Sequence, residues 1–266
     1  MPRPRKLSPE LPGAGGGLPI TLAGSLNPTL PKTAQVYDLL RRAIVTLMLP
    51  PGSVINEKQI SEQLDISRTP LREAILQLSA EGLVSVIPHS GTYVSRIDLQ
   101  SVFDGQLVRD ALEMKVVRLA ASKMNSTFER KLVVNMRQQR QLAEQRDYDG
   151  FYQLDEDFHS MLCDFGASPR IWRIVNGAKA QLDRVRRLAF PVPDHLDIVL
   201  HEHTQIAIAL QARDPEAAAE AMHLHIDRIF DTIRRLIVEK ADYFSADSSD
   251  ELAAYEGTMR HKLRAD

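Results

Sequence analysis

The sequence predicts a mostly α-helical protein built as a winged helix-turn-helix (α with a small β-hairpin) over residues 31–96, followed by an all-α antiparallel helical bundle over 97–241. Three observations carry this. Apolar positions recur at helical spacing up to residue 81, then switch to two short β-prone runs split by Pro88-His89-Ser90-Gly91. Beyond Arg96 the helical period is interrupted only at turn signals. The 266 residues also exceed one small winged domain, so a second core is required. Residues 1–30, rich in Pro and Gly, are expected to form a disordered arm with a basic tip at Arg3, Arg5 and Lys6, and 242–266 a loose tail.

The first helix runs from Lys32 to Leu47, with Val36, Leu39, Leu40, Ala43, Ile44 and Leu47 on one face. Ile60 and Leu64 give the next, short helix its apolar side, and Asp65-Ile66-Ser67 turns the chain. Ser67 is placed to cap the following helix, and Pro70 in its first turn gives up a donor that lacks an intrahelical partner. In that helix Leu71, Ala74, Ile75 and Leu78 face the core, which turns Arg68, Thr69, Arg72 and Glu73 outward. Gly82 ends it, and strands follow at Leu83–Ile87 and Thr92–Ser95. Arg68 and Arg72 lie one turn apart at the positive end of the second helix of the motif, where side chains reach base edges and phosphates of duplex DNA. Ser67, Lys58 and the hairpin tip His89, Ser90 and Gly91 are further candidate DNA contacts.

Bundle helices are predicted at about 98–125, 127–147, 148–165, 168–190, 194–212 and 214–241. Asp155 and His159, four apart, share a face of the third of these. His203 lies on the stripe of Ile206, Ala207 and Leu210, whereas His201 does not, and His225 rather than His223 sits with Ala218, Met222 and Ile229. Three imidazoles and a carboxylate converging from three helices suit Zn²⁺, Ni²⁺ or Mn²⁺ with open coordination positions. The same residues also read as ordinary helix histidines, each satisfied by a hydrogen bond.

Residues 52–94, from Gly-Ser-Val-Ile-Asn-Glu-Lys-Gln-Ile through Ser-Arg-Thr-Pro-Leu-Arg-Glu-Ala-Ile, Glu-Gly-Leu-Val and Ser-Gly-Thr-Tyr-Val, resemble the N-terminal domain of GntR-type transcription regulators. Leu-Asp-Glu-Asp-Phe-His-Ser-Met-Leu at 154–162, Glu-His-Thr-Gln-Ile at 202–206 and the run from Ala212 to Ile226 are similar to the FCD ligand-binding domain of the FadR-like branch, as is Arg-Asp-Ala-Leu-Glu at 109–113. The resemblance implies that Arg68 and Arg72 contact operator DNA. It further implies that Asp155, His159, His203 and His225 hold a divalent transition metal, zinc preferred over nickel or manganese, whose shell a small organic acid completes. Of the arginines that could clamp a carboxylate, Arg109, Arg184, Arg186 and Arg187, its family position singles out Arg109.

The function expected is therefore a cytoplasmic, ligand-responsive transcription regulator, a homodimer on a pseudo-palindromic operator, and not an enzyme. A direct metal sensor is the alternative; a metal-dependent hydrolase is disfavoured because no general base, nucleophile or phosphate loop accompanies the histidines. A net charge of −2 argues against a nonspecific nucleic-acid coat, though such a chain can still present one basic face; the single cysteine Cys163 excludes an internal disulfide framework, and no apolar run is long enough to span a membrane.

Overall fold

A computed structural model describes residues 26–192 and 194–262. The N-terminal basic tip lies outside them. The chain divides into two compact units, one holding the residues up to Ile44 with Met48–Ser95, the other Val45–Leu47 with the chain from Arg96 onward.

In the first unit α1 (Lys32–Val45), α2 (Glu57–Gln63) and α3 (Arg68–Ala80) precede an antiparallel hairpin of β1 (Val84–Ile87) and β2 (Gly91–Val94). Val36, Leu40 and Ile44 of α1 pack inward, as do Ile60 of α2 and Leu71, Ala74 and Leu78 of α3. Asp65 at φ 48° makes the sharp turn between α2 and α3. Gly82 sits at φ 70°, its N–H donating to Ser79 O and that of Leu83 to Leu78 O. This paired closure is the glycine-dependent helix stop the sequence signalled. Ser67 holds the N-cap position of α3 in extended conformation, but its hydroxyl makes no capping hydrogen bond, contrary to the expectation.

The second unit contains α4 (Leu99–Lys123), α5 (Ser126–Gln145), α6 (Tyr148–Gly166), α7 (Pro169–Ala178), α8 (Ala180–Ala189), α9 (His195–Gln211), α10 (Pro215–Asp227), α11 (Ile229–Glu239) and α12 (Ser248–Lys262). Asp98, Asn125, Asp147 and Asp214 accept from backbone N–H groups as side-chain caps of α4, α5, α6 and α10. One core joins α4, α5, α6, α9 and α10 through Val117, Leu132, Phe158, Ile206 and Met222; another joins α4, α8 and α11 through Val102, Leu182 and Ile233.

Two predicted helices are each broken in two. The span 168–190 breaks at Lys179, whose ammonium is drawn fully inside to Glu156 and Asp183 at 2.5 and 2.7 Å. The span 214–241 breaks at Arg228. The segment set apart as a tail is not loose: Phe244 is buried, Ile97 N donates to Tyr243 O at 2.8 Å, and Ser245 N donates to Ile97 O at 2.9 Å. Tyr255 of α12 stacks on Phe103 and Phe230. Apolar burial against α4 and α11, invisible to local periodicity, holds this segment.

Candidate DNA interface and metal centre

Arg68, Thr69 and Arg72 are exposed on α3, as the helical spacing requires. Arg72 Nε lies 3.7 Å from Glu57 Oε2, and Glu57 Oε1 accepts from Thr92 Oγ1 at 2.7 Å, so one carboxylate ties the start of α2 to both α3 and β2. Glu73 faces away from this group, accepting from Thr33 Oγ1 at 2.7 Å. Ser67 and Lys58 are exposed, Lys58 at 3.8 Å from Glu62. At the hairpin tip His89 takes φ 62° and Gly91 φ 140°, both exposed, while Ser90 Oγ lies 2.9 Å from Tyr93 Oη.

In the second unit the structure brings three of the four predicted ligands, His159, His203 and His225, into one cluster, with Asp155 beside His203. Asp155 and His159 come from α6, His203 from α9 and His225 from α10, all buried; His201 is exposed and His223 half-buried against Asp110. His225 Nε2 lies 3.3 Å from both His203 Nε2 and His159 Nε2, and His203 Nε2 is 3.7 Å from Asp155 Oδ1.

Every imidazole is fixed from behind by a group that helical spacing does not single out. His159 Nδ1 lies 2.6 Å from Glu113 Oε2, His203 Nδ1 2.8 Å from Gln139 Oε1, and His225 Nδ1 3.0 Å from Glu202 Oε2. Gln139 donates its own amide hydrogens to Asn135 Oδ1, which leaves its oxygen toward His203. With Nδ1 the donor in all three rings, the three Nε2 lone pairs point at one another. Asp155 Oδ1 adds a fourth acceptor, buried without a hydrogen-bond partner among the described residues. Four acceptors with the Arg109 guanidinium as a donor at their edge repel one another until a cation or protons intervene.

The surrounding charges suit that role. Burial opposes ionisation of Asp155, but Arg186, in contact with Oδ2, and then the histidines outweigh it and hold the carboxyl well below the usual range. Glu113 is likewise held low against burial by Arg109, 2.7 Å away, and by His159. Burial pulls His203 and His225 well below the ordinary imidazole value, keeping them neutral. Arg109 Nη2 reaches within 3.2 Å of His159 Nε2 at the edge of the cluster.

A pocket opens beside Asp155 and His225, lined also by Arg109, Arg186, Phe190, His195, Val199, Glu202, Ile226, Arg228 and Ile229. Two of the four arginines raised as carboxylate clamps, Arg109 and Arg186, face it. Arg187 turns away to Asp149, and buried Arg184 donates to Gln181 Oε1. The signal for Arg186 was present in its spacing: on α8 it follows Asp183 and Leu182 by a helical turn, on the inner face.

Comparison with known proteins matches residues 32–94 to the bacterial regulatory proteins of the gntR family and residues 106–228 to the FCD domain. The chain is 36% identical over 226 residues to the HTH-type transcriptional repressor RspR of Escherichia coli (strain K12), covering 85% of this chain and 99% of that protein. It is 28% identical over 197 residues to the Nta operon transcriptional regulator of Aminobacter aminovorans, covering 71% and 90%. Among solved structures, McbR/YncC of E. coli superposes with TM-score 0.64 at 22% identity, over 76% of this chain and 98% of that one, a likeness of fold.

Proposed function

Because this chain belongs to the gntR family of bacterial regulatory proteins and carries an FCD domain, and is thus a DNA-binding transcription regulator rather than an enzyme, we propose that a metal-assisted carboxylate pocket in its helical unit controls operator binding. Asp155, His159, His203 and His225 hold the ion, and Arg109 and Arg186 meet the carboxylate of a small organic acid. The observation that carries this reading is the convergence of three Nε2 atoms, each ring pinned through Nδ1 by Glu113, Gln139 or Glu202, beside an unpartnered Asp155 oxygen. Three imidazole nitrogens with a carboxylate oxygen nearby are a donor set that would suit zinc, nickel or manganese.

When bound, the ion supplies a Lewis-acidic position for a carboxylate oxygen. The chain's own residues do the rest: Glu113, Gln139 and Glu202 orient the imidazoles, Arg186 keeps Asp155 ionised, and Phe190, Val199, Ile226 and Ile229 limit water. The adjoining arginine-lined pocket favours an organic effector over the ion alone as the signal. At the operator, Arg68, Thr69 and Arg72 of each protomer of a homodimer read one half-site, with Ser67, Lys58, His89, Ser90 and Gly91 against the backbone. Effector binding acts through its differential affinity for the arrangements that do and do not fit the operator.

Metal content per chain by elemental analysis tests the centre. His203→Ala and His225→Ala should each lose most of the metal, since each removes one of four ligands, while His201→Ala and His223→Ala retain it. Equal loss from all four variants, or a metal-free wild type after metal-replete purification, would sink the assignment.

A further inference from the structure

The pocket beside the histidine cluster has one polar side chain that neither ion, carboxylate nor ion pair accounts for. His195, the first residue of α9, is 8% exposed and lines the pocket next to Phe190, Val199 and Glu202. Positions 195, 199 and 202 follow one another by helical turns, so His195 continues the face of α9 that carries Glu202 and His203 toward the pocket's apolar end. Its ring packs 5.9 Å from that of Phe190, and among the described residues nothing hydrogen-bonds its nitrogens. Burial, and after it the Arg186 charge, pull His195 down to about 4, so the ring is neutral at physiological pH. A neutral imidazole offers one donor and one acceptor, which matches a hydroxyl, itself both donor and acceptor. A second carboxylate would find a cationic partner at Arg186 but none in His195.

We propose that His195 is a specificity-determining residue of the effector pocket: its imidazole hydrogen-bonds a hydroxyl group of the bound acid, so the site takes a hydroxy acid in preference to the same acid lacking the hydroxyl. This rests on the carboxylate-pocket reading above and adds to it the effector's second functional group. A site with a buried polar group placed for a hydroxyl discriminates strongly against the analogue without one, because that group is then left unpaired.

The test is calorimetric titration of the metal-loaded, full-length protein with two matched pairs, lactate against propionate and malate against succinate. Wild type should bind at least one hydroxy acid about tenfold or more tightly than its deoxy partner. His195→Phe, which keeps the ring volume and removes both polar atoms, should erase that ratio. His195→Asn, which retains a neutral donor and acceptor, should restore part of the ratio and serves as the folded comparison if the Phe variant fails to fold by circular dichroism. Equal wild-type affinities within both pairs, or a ratio that survives in His195→Phe or is not reduced in His195→Asn when only that variant folds, overturns the role of His195 and leaves the carboxylate pocket standing. Failure of every acid to bind the metal-loaded wild type refutes the pocket itself, and this proposal with it.

Discussion

Arg72 keeps two-thirds of its side chain in solvent and only a loose pairing with Glu57, so replacing it removes little from the folded unit. Arg72→Ala should weaken operator binding by about 1–3 kcal/mol in a gel-shift titration at fixed salt, with an unchanged thermal melt. The histidines set a pH dependence of stability. His195 is held to about 4, and His203 and His225 lie well below their ordinary value, all through burial first. In the unfolded chain each protonates near 6.5. Below that pH the unfolded state binds protons the folded state refuses, so stability is full above about 6.5 and falls as pH drops from there toward 4. The slope is about 1.4 kcal/mol per pH unit for each such histidine. Melting of metal-free protein between neutral and mildly acidic pH checks the sign; a flat or rising melting temperature on acidification contradicts it. Residue by residue, helical spacing put His203 rather than His201 on the inner face, and the structure has His203 buried and His201 exposed, because that choice depends on one helix face. Glu113, Gln139 and Glu202 could not be read that way, since each meets its histidine across a contact between helices.

At the scale of elements, α4 and the joint between α7 and α8 approach so closely that Gly105 has no room for a side chain. A Cβ there would stand 2.7 Å from the Ala178 carbonyl oxygen and 3.3 Å from Lys179 Cα. Gly105→Ala should therefore destabilise the helical unit by about 1–3 kcal/mol, despite the better helix propensity of alanine, as measured by denaturant unfolding. A neutral or stabilising result would show that the joint yields freely. The winged unit was legible almost element by element, since its turns use Gly82 and Gly91 and its helices show one apolar face each. The helix breaks at Lys179 and Arg228 were not, because apolar spacing runs on through both, and each residue pairs with a carboxylate remote in sequence, Lys179 with Glu156 and Arg228 with Glu202 at 2.7 Å. Nor was the packing of 241–255, whose partners lie on α4 and α11 rather than nearby in sequence.

Across the whole molecule, the four proposed ligands come from three helices of the second unit and none from the first. Metal removal should act accordingly. Chelation should lower the melting temperature of the helical unit, by the linkage equivalent of about 4 kcal/mol at a thousandfold excess of metal over its dissociation constant, and leave the winged unit's transition in place. Calorimetry that resolves the two transitions checks this; a uniform shift of both would mean that they melt as one. The contact between Ile97 and the chain around Phe244 has a further consequence, in the order in which the protein is made. Its two halves are about 150 residues apart, so during synthesis the start of the helical unit waits, unclosed, until the segment around Phe244 has left the ribosome. The winged unit has all its strands and helices by residue 95. A ribosome that stops before Phe244 thus releases a chain already able to form its DNA-reading fold, joined to a helical unit still lacking its last strap.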